Sequence, residues 1–210
     1  MSVLPGFRHL TGYFGIPEQT ALLSELRAVI TAAPLYVPRM PRSGRPFSVR
    51  MSNCGTLGWV SDKDGGYRYQ PTHPETGQPW PAMPSRLIDL WDEVADFSRH
   101  PEACLINYYS GDARMGSHRD ADEADFTAPV VSVSLGDDAV FHVGGRQRAG
   151  AKGRVVLKSG DVVVLGGEAR LAYHGIDRIL PDTSSLLAEG GRLNLTLRRV
   201  GRSCGTPPGR

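Results

Sequence analysis

The stretch APVVSVSLG, residues 128–136, decides the fold. Val131, Val133 and Leu135 alternate with Ser132 and Ser134, the period-two sign of a half-buried strand. Short β-favouring runs surround it: CLINYY (104–109), AVFHVGG (139–145), GRVVLKSG (153–160), DVVVLGG (161–167) and RLNLTLRRV (192–200). Turn residues separate most of them. Several short strands at this spacing predict an all-β sandwich, jelly roll or barrel after residue 100.

Upstream the pattern changes. Residues 17–33 place Leu22, Leu23, Leu26, Val29 and Ile30 on one helical face, with Pro17 at the start and Pro34 just beyond. Residues 84–98 repeat the stripe with Leu87, Leu90, Trp91, Val94 and Phe97. The two helices are expected to support one outer face of the strands. Between them, residues 35–83 are rich in Gly, Pro and aromatics, with a turn at Gly65-Gly66 between Trp59 and Tyr67.

With 210 residues, one domain is the expectation, and a chain of this length buries a sizeable core without disulfides. Cys54, Cys104 and Cys204 are far apart with no C-x-x-C, which argues against a disulfide framework or a zinc ribbon. The N-terminus lacks a basic segment followed by an apolar run, and no apolar stretch is long enough to span a bilayer. These features predict a soluble cytoplasmic protein. Charge is uneven: no acid falls between Leu26 and Ser61, while Arg27, Arg39, Arg42, Arg45 and Arg50 do. Such a segment is either a solvated loop face or a rim that attracts phosphates.

MGSHRDADEAD, residues 115–125, carries the chemistry. On an extended backbone residues i and i+2 share a side, so His118 and Asp120 can offer an imidazole and a carboxylate to one ion, and Asp122 continues the step. His174 ends the strand-like run DVVVLGGEARLAYHGI, far enough downstream for several strands to intervene. Two histidines and a carboxylate make the facial triad that leaves metal positions open. HRD also opens the kinase catalytic loop. That pattern wants Asn where Asp125 stands, and no Gly-rich phosphate loop precedes it. In RLNLTLR, Arg192, Asn194, Thr196 and Arg198 take one face, either in solvent or facing an anionic co-substrate, and Asn107 and Tyr109 share a face upstream.

The order N-x-Y, H-x-D, a distant H, then R-x-N-x-T-x-R resembles the AlkB family of Fe(II)- and 2-oxoglutarate-dependent nucleic-acid dealkylases. SNCGTLGW, QPWPAMP, CLINYY, DADEADFTAPVVSVSLGDDAVFHVGG, DVVVLGGEARLAYHGI and RLNLTLR carry the likeness, from about residue 6 to 200. The resemblance implies an α+β fold: a double-stranded β-helix (jelly roll, cupin-like) over 100–200, N-terminal supporting helices, a nucleotide-recognition lid within 35–83 and a flexible tail at 201–210. It implies that His118, Asp120 and His174 hold Fe(II). Asn107, Tyr109, Arg192, Asn194 and Arg198 would bind 2-oxoglutarate, with the arginines as paired cations. Trp59, Tyr67 and Tyr69 would receive the base, Asp122 would face it, and Arg148 would approach the substrate. Two positions depart from the family pattern: the lid is one glycine longer at Gly65-Gly66, and Leu165 stands where a tryptophan is expected.

The implied activity is oxidative demethylation of 1-methyladenine- or 3-methylcytosine-type bases in single- or double-stranded DNA, with RNA a further substrate class. It consumes O2 and releases formaldehyde, succinate and CO2. A monomer is expected. The alternatives are the same oxygenase chemistry on RNA, lipid or protein, and a non-catalytic cupin-like binding module.

Overall fold

The computed structural model describes residues 4–201. Nearly all of the expected tail, with Cys204, lies outside the described residues. The elements run β1 (Phe7–Leu10), α1 (Ile16–Ala32), β2 (Arg50–Gly55), β3 (Gly58–Asp62), β4 (Gly66–Gln70), α2 (Ser85–Val94), β5 (Ala103–Tyr109) and β6 (Met115–His118). They continue with β7 (Val130–Gly136), β8 (Asp138–Gly144), β9 (Lys152–Leu157), β10 (Val162–Leu165), a 3-10 turn (Gly167–Leu171), β11 (His174–Leu180) and β12 (Arg192–Arg198).

Two antiparallel sheets face each other. The larger has the order β1-β10-β7-β12-β5-β2 and the smaller β6-β11-β8-β9, while β3 and β4 form a separate hairpin. Consecutive strands cross repeatedly between the two sheets, the jelly-roll topology expected. Strand β2 lies within the segment 35–83 and forms the edge of the larger sheet.

Side-chain alternation explains the layers. Leu193, Leu195 and Leu197 of β12, with Val131, Val133 and Leu135 of β7, pack under Leu22, Leu26, Leu87, Leu90 and Trp91 of the two helices. Burying each such side chain is worth about 1.5–3 kcal/mol relative to exposure. The polar alternates point the other way, into the space between the sheets. Ser134 and Arg192 are 1% and 0% exposed. The expectation of a half-buried β7 is therefore corrected: both faces are buried, one by helices and one by the second sheet. The solvent reading of the β12 polar face falls for the same reason.

The helix α2 stops four residues short of the expected end. Asp96 adopts a left-handed backbone (φ 49°), which no α-helix continues through, and Phe97 packs against the core from beyond it. No described helix is long and apolar enough to cross a membrane.

The buried Asn53 ties the hairpin β3–β4 to the larger sheet. Asn53 of β2 donates from Nδ2 to the Trp59 carbonyl (3.0 Å) and accepts the Trp59 N–H at Oδ1 (2.9 Å). It thus stands in for a strand ladder. Gly58 lets the chains meet, since a Cβ there would lie 2.4 Å from the Trp80 indole and 2.8 Å from the Asn53 Cβ.

Candidate metal centre and substrate cavity

Strands β6 and β11 pair so that His174 lies directly opposite His118. The structure revises how the ligands get there. His174 opens β11 rather than ending the DVVVL strand, because a 3-10 turn interrupts that run. Asp120 lies past the end of β6, on non-strand backbone, rather than on a continuing strand.

Each imidazole donates Nδ1–H to a carbonyl two residues back: His118 to Gly116 (2.9 Å) and His174 to Ala172 (3.0 Å). A carbonyl only accepts, so in the neutral imidazole the proton sits on Nδ1 and the lone pair on Nε2. His118 Nε2 lies 4.0 Å from Asp120 Oδ1, and His174 Nε2 lies 3.8 Å from Asp120 Oδ2. The three donor atoms fall within 4.8 Å of one another. Asp120 Oδ2 is buried and has no hydrogen-bond partner. Two aimed nitrogen lone pairs and an orphaned carboxylate oxygen are the donor set that a divalent iron takes.

The electrostatics suit a cation. Burial pushes the Asp120 carboxyl up, but Arg198, then His174, His118 and Arg170, hold it well below the usual carboxylate range. Burial, reinforced by His118, lowers His174 to about 4 against the opposing pull of Asp120. Asp120 is thus anionic and His174 neutral at neutral pH, the protonation states a metal requires.

A cavity opens from these residues between the sheets. Asn107, Tyr109, Ser132, Asn194, Thr196 and Arg198 supply its polar wall, and Leu105, Val130, Phe141, Leu157, Val163 and Leu165 an apolar one. Leu165, the departure from the family pattern, therefore faces the cavity. Asn107 Oδ1 is buried without a partner, while the Asn194 amide donates to Ser132 Oγ (2.7 Å) and the Val133 carbonyl (3.1 Å).

The two arginines, grouped together from the sequence pattern, differ. Arg198 lines the cavity and donates from Nη2 to Asp120 Oδ1 at 2.8 Å. Arg192 lies past the lining, fully buried, with Nη2 donating to Ser134 Oγ (2.6 Å) and Nη1 to the Asp137 carbonyl (3.4 Å). Its Nε is orphaned, and among the described residues no carboxylate reaches ion-pair distance of it.

The hairpin supplies an aromatic roof. Trp59 and Tyr67 stack at 5.5 Å and 24°, and Phe47 meets Trp59 edge-on. All three line the cavity. The Trp59 indole N–H donates to Asp122 Oδ2 (2.8 Å), so Asp122 is brought against the roof. Tyr69, grouped with Tyr67 from sequence, instead reaches Glu123 and does not line the cavity. Arg148 sits exposed in the β8–β9 loop, away from the cavity lining. Arg39, Arg42 and Arg45 are exposed on the loop leading to Phe47, which a bridge between Arg39 and Pro46 closes.

Sequence reading missed Glu123 and Arg170. Arg170 is 2% exposed and binds Glu123 Oε2 (3.0 Å), the Asp120 carbonyl (2.7 Å) and the Ala128 carbonyl (2.8 Å). The only sequence signal was a charged residue inside an apolar run, GGEARLAYH.

The description of the 2OG-Fe(II) oxygenase superfamily matches residues 6–198. The chain is 51% identical over 200 residues to an alpha-ketoglutarate-dependent dioxygenase AlkB homolog of Caulobacter vibrioides, covering 95% of this chain and 90% of that one. It is 42% identical over 193 residues to the alpha-ketoglutarate-dependent dioxygenase AlkB of Escherichia coli K12, covering 90% and 87%. The solved structure of OsALKBH1 matches with a TM-score of 0.77 at 28% identity, covering 95% of this chain and 99% of that one.

Proposed function

The chain belongs to the 2OG-Fe(II) oxygenase superfamily, in its AlkB branch, and from that premise we propose that it demethylates N-alkylated bases of nucleic acid. The observation that carries this reading is the Trp59–Tyr67 roof, with Asp122 beneath it, over an iron-type His118–Asp120–His174 donor set.

In this reading His118, Asp120 and His174 hold Fe(II). The iron, with 2-oxoglutarate and O2, supplies the oxidation of the N-methyl group, releasing formaldehyde, succinate and CO2. The protein's part is binding and orientation. Asn107, Tyr109 and Asn194 hydrogen-bond the co-substrate. Arg192 receives its far carboxylate, since a buried guanidinium lacking an anion is an attractive partner for one. Arg198 stays on Asp120 and faces the near end.

The methylated atom lies on the pairing edge, so the base enters flipped or single-stranded. Trp59 and Tyr67 offer it a stacking face. Asp122 exchanges the Trp59 N–H for the exocyclic amine of a cationic base. The basic loop 39–45 takes phosphates, in DNA or RNA. Arg148 approaches the nucleic acid only if the β8–β9 loop moves. The protein acts as a cytoplasmic monomer.

The test is succinate and formaldehyde release on adding an oligonucleotide with 1-methyladenine. Equal release from methylated and unmethylated oligonucleotides would refute the reading and favour a different acceptor. No release of succinate with any acceptor would favour a binding module.

A further inference from the structure

The aromatic hairpin and the metal-side carboxylate share one buried network. Tyr69 of β4 donates its phenol O–H to Glu123 Oε1. Arg170 holds Glu123 Oε2 and also the Asp120 carbonyl. Arg198 donates from Nη2 to Asp120 Oδ1 at 2.8 Å. Its Nε–H is buried, makes no hydrogen bond, and lies 3.6 Å from Glu123 Oε1. Two donors therefore face the same oxygen, and only the tyrosine bonds it.

The setting makes this contest consequential. Glu123, Arg198, Arg170 and Asp120 are each at most 7% exposed. Inside such a network solvent does not replace a lost donor, so the remaining groups must redistribute. Tyr69 is also cross-strand partner of Trp59. The side chain contesting Glu123 thus rides on the element that roofs the cavity.

We propose that Tyr69 and Glu123 are positioning residues that couple docking of the β3–β4 hairpin to the hold of Arg198 on Asp120. The proposal rests on the metal-centre reading of Asp120 and not on the identity of the substrate. With the hairpin docked, Tyr69 occupies Glu123 Oε1 and Arg198 stays on Asp120. When the hairpin lifts, Oε1 loses its donor and becomes an open acceptor 3.6 Å from the Arg198 Nε–H. The guanidinium shifts toward Glu123, and its bond to Asp120 loosens. Asp120 is then less neutralised and attracts a cation more strongly. By linkage, whatever docks the hairpin alters cation affinity at Asp120, and the cation alters docking by the same factor.

The signs of two substitutions separate this device from simple packing. Tyr69→Phe keeps the ring and removes the contested O–H, so it mimics the lifted hairpin within a folded chain. Glu123→Gln keeps an acceptor for Tyr69 but withdraws the charge that competes for Arg198. Mn(II), a redox-stable probe, would be titrated into the full-length parent and both variants without nucleic acid. Tyr69→Phe is expected to bind Mn(II) at least about fivefold more tightly, and Glu123→Gln at least about fivefold more weakly, the low end of ordinary coupling. A purely structural role would weaken both. Unchanged or weakened affinity in Tyr69→Phe overturns the proposal. Should that variant not fold, Glu123→Gln decides: weaker Mn(II) binding with a Tm equal to the parent's supports the proposal, and unchanged or tighter binding, or weaker binding together with a lowered Tm, overturns it. A parent that binds no Mn(II) overturns it together with the metal-centre reading. These arms contain no oligonucleotide, so a failure of the dealkylase reading registers separately, in the succinate assay.

Discussion

Arg192→Met should make the ligand-free protein more stable and blind to 2-oxoglutarate. Arg192 is 0% exposed and has no carboxylate partner among the described residues. Burial lowers its guanidinium from 12.5 to about 10, against weaker upward pulls led by Tyr109. Each pKa unit is 1.36 kcal/mol, so holding this charge costs on the order of 3 kcal/mol. The sign follows: the folded value lies below the unfolded one, so the cost is fully present at neutral pH and is relieved only above pH 10. Methionine removes the charge and keeps most of the apolar stem. Ser134 Oγ and the Asp137 carbonyl lose a donor, which returns about 1–2 kcal/mol. The net gain of about 1–2 kcal/mol raises Tm by roughly 2–8 °C for a chain of this size.

The parent, however, should gain from co-substrate. At a concentration of a hundred times Kd, a ligand adds about 2.7 kcal/mol. Removing one partner of a buried charge pair costs about 3–5 kcal/mol, so Arg192→Met should lose about two to four orders of magnitude in affinity. Thermal unfolding of both proteins with Mn(II), with and without 2-oxoglutarate, measures both halves at once. A variant that melts below the parent without ligand, or that is still stabilised by 2-oxoglutarate, would refute the reasoning.

Asp120→Asn should abolish stabilisation by Mn(II) and also destabilise the metal-free chain by about 1–3 kcal/mol, because Arg198 loses the carboxylate it hydrogen-bonds and keeps only Glu123 at 3.6 Å; urea unfolding without metal checks the second effect. Trp59→Ala should weaken binding of a methylated oligonucleotide by about 1–3 kcal/mol, leaving substrate-free 2-oxoglutarate decay unchanged; fluorescence anisotropy with unaltered affinity would assign Trp59 to packing alone. Gly58→Ala should cost about 1–3 kcal/mol, since its Cβ meets the Trp80 indole and Asn53; a Tm equal to the parent's would show that the hairpin shifts freely on β2.

How much of this fold was legible depends on how far each pattern reaches. The alternation of β7 and β12 identified strands and told their two faces apart. It did not tell what covers the polar face, because Ser134 and Arg192 look identical in solvent and in a buried cavity. The strands β1 and β6 have four residues each, too few for a period to register. The strand β2 reads RMSNCG, with little β-favouring character. It is held instead by pairing to β5 and by the backbone bonds that Asn53 makes to Trp59. The end of α2 was invisible because the apolar stripe continues to Phe97 while the backbone does not continue through Asp96.

The site was legible where its members are local. His118 and Asp120 stand two apart, and His174 falls opposite His118 because antiparallel pairing brings distant residues into register. Glu123 and Arg170 escaped notice because their roles exist only after convergence: a carboxylate just beyond one strand and a guanidinium from a 3-10 turn meet beneath the hairpin. The arginines of β12 show the limit most clearly. A shared face made Arg192 and Arg198 equivalent in the pattern. Yet six residues of strand separate them by about 20 Å at 3.4 Å per residue, so one lies at each end of the polar face. The end that meets Asp120 finds its anion in the protein. Among the described residues, the other end finds only a hydroxyl and a carbonyl. One strand thus carries a satisfied cation beside the metal centre and an unsatisfied one away from it, and in the function proposed above that difference would give an elongated dianion a direction in which to bind.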